Sequence, residues 1–192
     1  MEPLEDRIRR VTSEPVEVID YDPEWPAAFE RERKHLLACL PRDLIVRIEH
    51  FGSTAVPCLA AKPIIDVLVE VTDLAAVRER VVPLLESQGY EYFWRPTFGD
   101  AGEPFYAWFI KRDPATGKRT HHIHMVEGVF TSHWDRLLFR DYLIAHPDVA
   151  AQYGALKRQL AAEASTDRVR YTEAKGEFIR RVTDTAKRES KA

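Results

Sequence analysis

Apolar and polar residues recur along this chain with two different periods, and the change of period marks its elements. Residues 1–14 are charged and show no period, which predicts a frayed segment. Val16-Glu17-Val18-Ile19 alternates as a short extended entry. Asp22-Pro23-Glu24 then opens a helix on which Trp25, Phe29, Leu36, Leu37 and Leu40 fall at helical spacing. The run Glu30-Arg31-Glu32-Arg33-Lys34 reads as its solvated part, and Pro41 stops it. Residues 44–51 alternate with period two, with Leu44, Val46, Ile48 and His50 on one face and Ile45, Arg47, Glu49 and Phe51 on the other. Residues 64–71 are nearly continuous in apolar character, which predicts a central strand buried on both faces. The next helix is capped by Asp73 and carries Leu74, Val77, Val81, Leu84 and Leu85; Pro83 is placed to bend it and Gly89 to end it.

Residues 90–94 form the next predicted strand, and residues 97–104 a polar, glycine-bearing loop. Residues 105–111 and 120–127 pair as a hairpin across Asp113-Pro114-Ala115-Thr116-Gly117-Lys118. From Ser132 the period becomes helical: Trp134, Leu137, Leu138 and Tyr142 make one apolar stripe, interrupted at Pro147. Residues 149–163 and 171–187 are two further helices joined by a polar turn at 164–168. No internal repeat or low-complexity segment is present. Strands followed by helices predict an α+β fold. It is a mixed β-sheet with flanking helices and a C-terminal helical subdomain. The expected partition is a flexible segment at 1–14, an α/β core at 15–130 and a helical subdomain packed on it at 131–192.

Composition narrows the class. A chain of 192 residues, 45% hydrophobic and 31% charged, suits an ordinary globular protein. A formal charge of −3 gives no basic footprint, so no nucleic-acid partner is expected. No run of about 18 apolar residues is present, so no membrane association is expected. The charged start has no apolar signal core, and Cys39 and Cys58 lie in dissimilar contexts as reduced thiols, with Cys39 expected buried on a helix; the expected location is cytoplasmic.

The stretch IEHFGSTAVPCLAAKPIIDVLVEV, residues 48–71, concentrates the chemistry. Asp66 interrupts the apolar run Ile64-Ile65-Asp66-Val67-Leu68-Val69, and a buried carboxylate must be paired, hydrogen-bonded, metal-bound or neutralised. The plain alternative is an acid at an open sheet end. Backbone N–H groups and hydroxyls at Gly52, Ser53 and Thr54 suit a phosphate, with Lys62 as a point charge for it. Asp66 and Lys62 are thus the candidate catalytic pair. On the hairpin, His122 and His124 share one face of their strand while His121 points the other way. A His-x-His pair plus one acid suits zinc, nickel or manganese better than magnesium alone, so Asp66, His122 and His124 are the candidate metal ligands, ahead of His50. Glu70 lies about 13 Å along the strand from Asp66 and is set aside. A structural histidine held by hydrogen bonds in the sheet is the alternative to metal binding.

The same stretch resembles the GrpB family of the nucleotidyltransferase superfamily, whose pattern is approximately H-x-G-S-T-A-V-x-G-L-x-x-K-P-x-I-D. Here it runs from His50 through Gly52-Ser53-Thr54, Lys62 and Pro63 to Asp66. The resemblance continues in Thr120-His121-His122-Ile123-His124-Met125-Val126, in Phe139-Arg140-Asp141-Tyr142-Leu143, in Tyr153, Leu156 and Lys157, and in Tyr171-Thr172 with Lys175. It implies a nucleotidyltransferase-like sheet whose C-terminal helices form a second cleft wall. Arg140, Lys157 and Lys175 would then meet phosphate and Tyr171 would stack on a base. In the superfamily two acids in a D-x-D arrangement and a third on a neighbouring strand hold the metals; here Leu68 stands at the second position. Cys58 stands where the family usually has glycine, and a positive φ there would imply a changed loop.

Three functions compete. The first is metal-dependent nucleotidyl transfer from a nucleoside triphosphate to a small acceptor. The second, favoured by Leu68, is a non-catalytic module that binds a nucleotide or coenzyme A precursor, since family members occur fused to dephospho-CoA kinase. The third is a metal-dependent hydrolase using His122 and His124. The expected partner is in each case a nucleotide or other small molecule, with acceptor, base and oligomeric state left open.

Overall fold

The computed structural model describes residues 3–96, 105–163 and 167–190. The loop expected at 97–104 and residues 164–166 of the expected turn lie outside them. In chain order the helices and strands are α1 (Leu4–Ser13), α2 (Trp25–Cys39), β1 (Ile45–Phe51), β2 (Ile65–Val71), α3 (Leu74–Ala76), α4 (Val82–Ser87), β3 (Glu91–Arg95), β4 (Tyr106–Arg112), β5 (Arg119–Glu127), α5 (Thr131–Ala145), α6 (Pro147–Glu163), α7 (Arg168–Ala174) and α8 (Gly176–Glu189). The fold is a mixed α+β arrangement. No helix among the described residues is long and apolar enough to cross a membrane.

The chain forms two compact units, and each draws on separate stretches of sequence. One comprises Asp22–Ala55 and Ile64–Leu137; the other comprises Met1–Tyr21, Val56–Pro63 and Leu138–Ala192. This differs from a boundary near residue 130. Leu59, on a loop assigned by sequence to the core, packs with Val56, Leu143, Ala150, Tyr153 and Val182 among the C-terminal helices.

The first unit holds a five-stranded sheet in the order β1-β2-β5-β4-β3. β2 pairs antiparallel with β1 and parallel with β5, while β4 pairs antiparallel with both β5 and β3. Val67, Leu68 and Val69 are fully buried, as the apolar run of β2 requires of a strand covered on both faces. α2 starts where Asp22 Oδ1 accepts from Glu24 N–H, and Phe29 stacks on His50 with ring centroids 4.6 Å apart. One expectation for α2 is corrected. Glu32 was assigned to the solvated face but is 2% exposed, because it sits three residues after Phe29 and four before Leu36 on the inward stripe. Its carboxylate accepts from Tyr90 Oη and pairs with Lys111. The helix expected after Asp73 is capped as foreseen, by bonds from Ala75 and Ala76 N–H. Pro83 then shapes it: a π-helical stretch at Val77–Val81 precedes α4, whose first turn Pro83 occupies.

In the second unit α1 replaces the aperiodic segment expected at the start. Leu4, Ile8 and Val11 recur at helical spacing, and Val11 is buried. Arg168 of α7 donates to the carbonyls of Glu14 and Pro15. The single helix expected at 171–187 is two, α7 and α8, meeting at Lys175-Gly176, where glycine is a weak helix former. The turn Val56-Pro57-Cys58-Leu59 is closed by Leu59 N–H to Val56 O at 3.3 Å. With proline second and a positive φ third it follows the type II pattern. Cys58 adopts φ 61°, the one non-glycine among the described residues with positive φ. The loop therefore keeps the backbone that a glycine would take, at a steric cost of about 1–2 kcal/mol for a side chain in that region.

Candidate functional site

Strand register builds the site. Asp66 of β2 lies opposite His122 of β5 and Phe51 of β1, and Leu68 lies opposite His124. His122 and His124 face Ile110 and Trp108 of β4 across the antiparallel ladder, and Tyr106 of β4 pairs with Arg95 of β3. Directly paired residues share a face, so Phe51, Asp66, His122, His124, Trp108, Tyr106 and Arg95 all project from one side of the sheet. His50 and His121 project from the other. His50 Nε2 meets Thr54 Oγ1 at 3.0 Å, and His121 Nδ1 meets Thr120 Oγ1 at 3.0 Å.

Asp66, His122 and His124 each offer a ligand atom, and these atoms lie within 4.8 Å of one another. Around a tetrahedral ion with bonds of 2.0–2.1 Å, ligand atoms sit about 3.4 Å apart. A small inward rotation of the side chains would therefore complete the set. His122 Nδ1 lies 3.0 Å from Asp66 Oδ1, and His122 Nε2 lies 3.5 Å from Arg119 Nη1. Arginine only donates, so this places the neutral imidazole proton on Nδ1, towards the carboxylate. A metal ligated by Nδ1 would have to displace that proton.

His124 is 7% exposed, and its Nδ1 has no hydrogen-bond partner among the described residues. Burial pushes its pKa well below the usual imidazole value, and the charges of Arg136, His133, His122 and Arg95 press the same way. It is therefore neutral, the form in which imidazole ligates a metal. Phe51 meets it edge-on at 5.1 Å and Tyr106 stacks on it at 5.6 Å. Tyr106 also meets His133, at the start of α5, with centroids 4.5 Å apart. Burial and then Arg136 and Arg95 push His133 down to about 3. Sequence reasoning missed His133, Arg136, Arg95, Tyr106 and Trp108. The period-two alternation along β4 and β5 was the available signal, since it assigns Trp108 and Tyr106 to one face.

The small-residue turn is fixed by its carboxylate neighbour. Gly52 has φ +73°, and a Cβ there would stand 2.5 Å from Asp66 Oδ2. Only glycine lets the backbone pass this close. Ser53 begins a 3-10 turn, Ser53–Ala55, and is half-buried. Thr54 is 1% exposed, with its hydroxyl engaged by His50 and the carbonyl of Ile64, so it braces the turn from inside. Leu68 is fully buried beside His124, and Glu70 is held by Arg47 at 2.6 Å, so neither supplies a second acid.

The remaining candidates belong to the second unit. Tyr171 is 1% exposed and packs with Val16, and the ammonium groups of Lys62 and Lys175 lie 5.4 and 4.3 Å from its ring centroid. The ring carries two cations instead of offering an open face to a base. Lys157 is 2% exposed, its ammonium 4.7 Å from the Tyr153 ring. Arg140 pairs with Asp141 at 2.7 Å. Lys62, Lys157, Lys175 and Arg140 are thus part of one unit, and Asp66, His122, His124 and the Gly52-Ser53-Thr54 turn part of the other.

The family model described as GrpB protein matches residues 15–185. The crystal structure of conserved protein GrpB from Enterococcus faecalis superposes with a TM-score of 0.78 at 36% identity, covering 92% of this chain and all of that one. UPF0157 protein YqkA of Bacillus subtilis is 38% identical over 90% of this chain and 48% of its own length. A dephospho-CoA kinase of Mycolicibacterium paratuberculosis is 33% identical over 90% of this chain and 46% of its own length. The chain spans about half the length of these last two proteins. With nearly the whole chain covered by one family model and a solved GrpB structure matched along its entire length, the chain belongs to the GrpB family.

Proposed function

We propose that this protein binds a divalent transition metal at Asp66, His122 and His124 and uses that centre to act on the phosphates of a nucleoside triphosphate, transferring a nucleotidyl group to a small acceptor. The observation that carries the reading is the convergence of one carboxylate and two imidazoles on a single sheet face, one imidazole buried and neutral with an Nδ1 that has no partner among the described residues. The donor set fits zinc, nickel or manganese more closely than magnesium, which prefers oxygen ligands. When bound, the metal neutralises charge on phosphate oxygens.

The chain's own residues do the rest. Gly52 brings the backbone of the small-residue turn against Asp66, so that a phosphate cradled there lies next to the carboxylate. Aromatic rings of Phe51, Tyr106 and Trp108 wall the imidazoles and exclude water from them. In the reaction the acceptor hydroxyl would give up its proton to water, its oxygen would bond to the α-phosphorus, and the bond from that phosphorus to the bridging β-phosphate oxygen would break, releasing pyrophosphate. Turnover of nucleoside triphosphate with zinc, manganese, nickel or magnesium, measured for wild type and Asp66→Ala, tests this. Metal-dependent pyrophosphate release lost in the variant is the expected result.

A second reading rests on two observations: Leu68 fills the position of a second acid, and a relative is named dephospho-CoA kinase. On that reading the unit retains a nucleotide or coenzyme A precursor pocket without turnover. Binding of the nucleotide with no release of pyrophosphate under any metal would favour it.

A further inference from the structure

Three helices of the second unit border a cavity that the metal reading does not use. Its volume is about 260 Å³, and it is lined by Tyr142 of α5, Val149 and Gln152 of α6, and Arg181, Val182 and Thr185 of α8. All six residues lie in that unit. Arg181 and Val182 stand four and three residues before Thr185, so the three side chains share one helix face. Val182 is buried, and Tyr142 and Val149 pack against the same apolar cluster, which makes the floor of the cavity apolar.

Arg181 is the only cation among these lining residues. Its Cζ lies 5.1 Å from the Phe178 ring centroid, and Phe178 stacks on buried Tyr153 with centroids 5.1 Å apart. The guanidinium thus rests on a ring that is itself fixed, and it meets no carboxylate among the described residues. Stacking uses the face of a guanidinium and leaves its N–H donors, which lie in its plane, for another partner. Gln152 is exposed, and its side-chain amide has no hydrogen-bond partner among the described residues. The Thr185 hydroxyl is already engaged: it donates to the Arg181 carbonyl at 3.1 Å and accepts from Arg188 Nη2 at 3.1 Å. A few polar groups above an apolar floor are what orients a small ligand in a pocket.

Size and charge decide the class. Pockets for drug-sized ligands run to about 300–1,000 Å³, and a cavity of about 150 Å³ holds benzene. This one lies between them and suits a compact molecule of roughly ten heavy atoms, well short of a nucleoside triphosphate. One guanidinium balances one negative charge. A second negative charge would be opposed at the Tyr142 wall, where burial and then the carboxylates of Glu189 and Asp148 raise the phenol pKa. Glu189 in turn faces His146, whose Nε2 is 3.9 Å away and whose ring stacks on Tyr142 at 4.0 Å. A carboxylate matches the arginine fork bidentately and carries a single charge.

We infer that this cavity binds a small monocarboxylate with a compact apolar body, Arg181 taking the carboxylate and Tyr142, Val149 and Val182 taking the body. The site is separate from the chemistry proposed at Asp66, His122 and His124, which belong to the other unit.

The test titrates benzoate into the full-length protein at neutral pH and follows the backbone amides by NMR. Saturable shifts at Val149, Gln152 and Val182 are expected. Arg181→Gln should weaken binding about tenfold or more, the loss typical of a hydrogen bond to a charged group. Arg181→Lys keeps the charge and the stem and serves if the glutamine variant does not fold; it is expected to bind more weakly than wild type because the bidentate fork is gone. Gln152→Trp sets a ring over the cavity from an exposed position and should abolish binding. Arg180→Gln, exposed and outside the lining, should bind as wild type does. Benzyl alcohol has the body without the charge and inorganic phosphate the charge without the body, and each is expected to bind about tenfold more weakly or worse. Absence of saturation by about 10 mM benzoate, or wild-type affinity in folded Arg181→Gln and Gln152→Trp proteins, overturns the site. Benzyl alcohol or phosphate binding as tightly as benzoate overturns the ligand class.

Discussion

Gly52 and Asp66 set each other's position. Alanine at 52 would place its Cβ against the carboxylate and force a positive φ on a side chain. Gly52→Ala is expected to cost about 2 kcal/mol or more in urea unfolding and to weaken metal binding, because Asp66 must turn away. Cys58 is the opposite case, a side chain where glycine fits better. Cys58→Gly relieves the left-handed strain but frees the unfolded chain, so a net gain of about 0.5–1 kcal/mol is expected by the same measurement. His133 gives the protein an acid sensitivity. Its pKa is about 3 when folded against an ordinary 6.5, so the unfolded chain binds more protons between these values. Stability then falls as pH drops below about 6.5, by about 2 kcal/mol at pH 5 from one such group. His133→Phe should flatten the fall in Tm between pH 7 and pH 5 in metal-free protein. At this scale the sequence revealed Asp66, His122 and His124, which the fold brings together, but not their surroundings. An acid in an apolar run and a His-x-His pair are visible as patterns, whereas Arg95 and Arg136 become neighbours only through the pairing of β3 with β4 and the packing of α5.

Among the elements, the strands were legible because period-two alternation and the Asp113–Lys118 turn leave few other readings. The adjacency of β2 and β5 follows from burial, since a strand acid needs polar partners on its neighbour. The helices were legible in register but not in detail. α2 shows why: its charged run contains Glu32, and only its spacing from Phe29 and Leu36 tells that this acid points inward. Glu32→Ala would leave Lys111 and Tyr90 without their shared acceptor in a buried place. The expected cost is about 3–5 kcal/mol in denaturant unfolding, with Glu32→Gln milder because it keeps an acceptor. α1 was missed because Leu4, Ile8 and Val11 are sparse among charges, and the break between α7 and α8 because one glycine is a weak signal.

For the molecule as a whole, the partition was the least legible property. The motif that runs from His50 to Asp66 is shared between the units: its turn and its acid belong to one, and the stretch from Val56 to Pro63 with Lys62 belongs to the other. No local period encodes that, because it depends on Leu59 finding Gly154 and Tyr153 about a hundred residues away, through loop closure. The central claim nevertheless lies within one unit and can be tested alone. Zinc titration by calorimetry, at neutral pH on metal-free protein, compares wild type with the His122→Ala/His124→Ala double variant. Wild type is predicted to bind zinc more tightly than magnesium. The folded double variant is predicted to lose more affinity than the roughly 10–100-fold that loss of an outer hydrogen-bond partner costs a metal site. Equal zinc affinity in the two proteins would contradict the account and leave His122 and His124 as structural residues of the sheet.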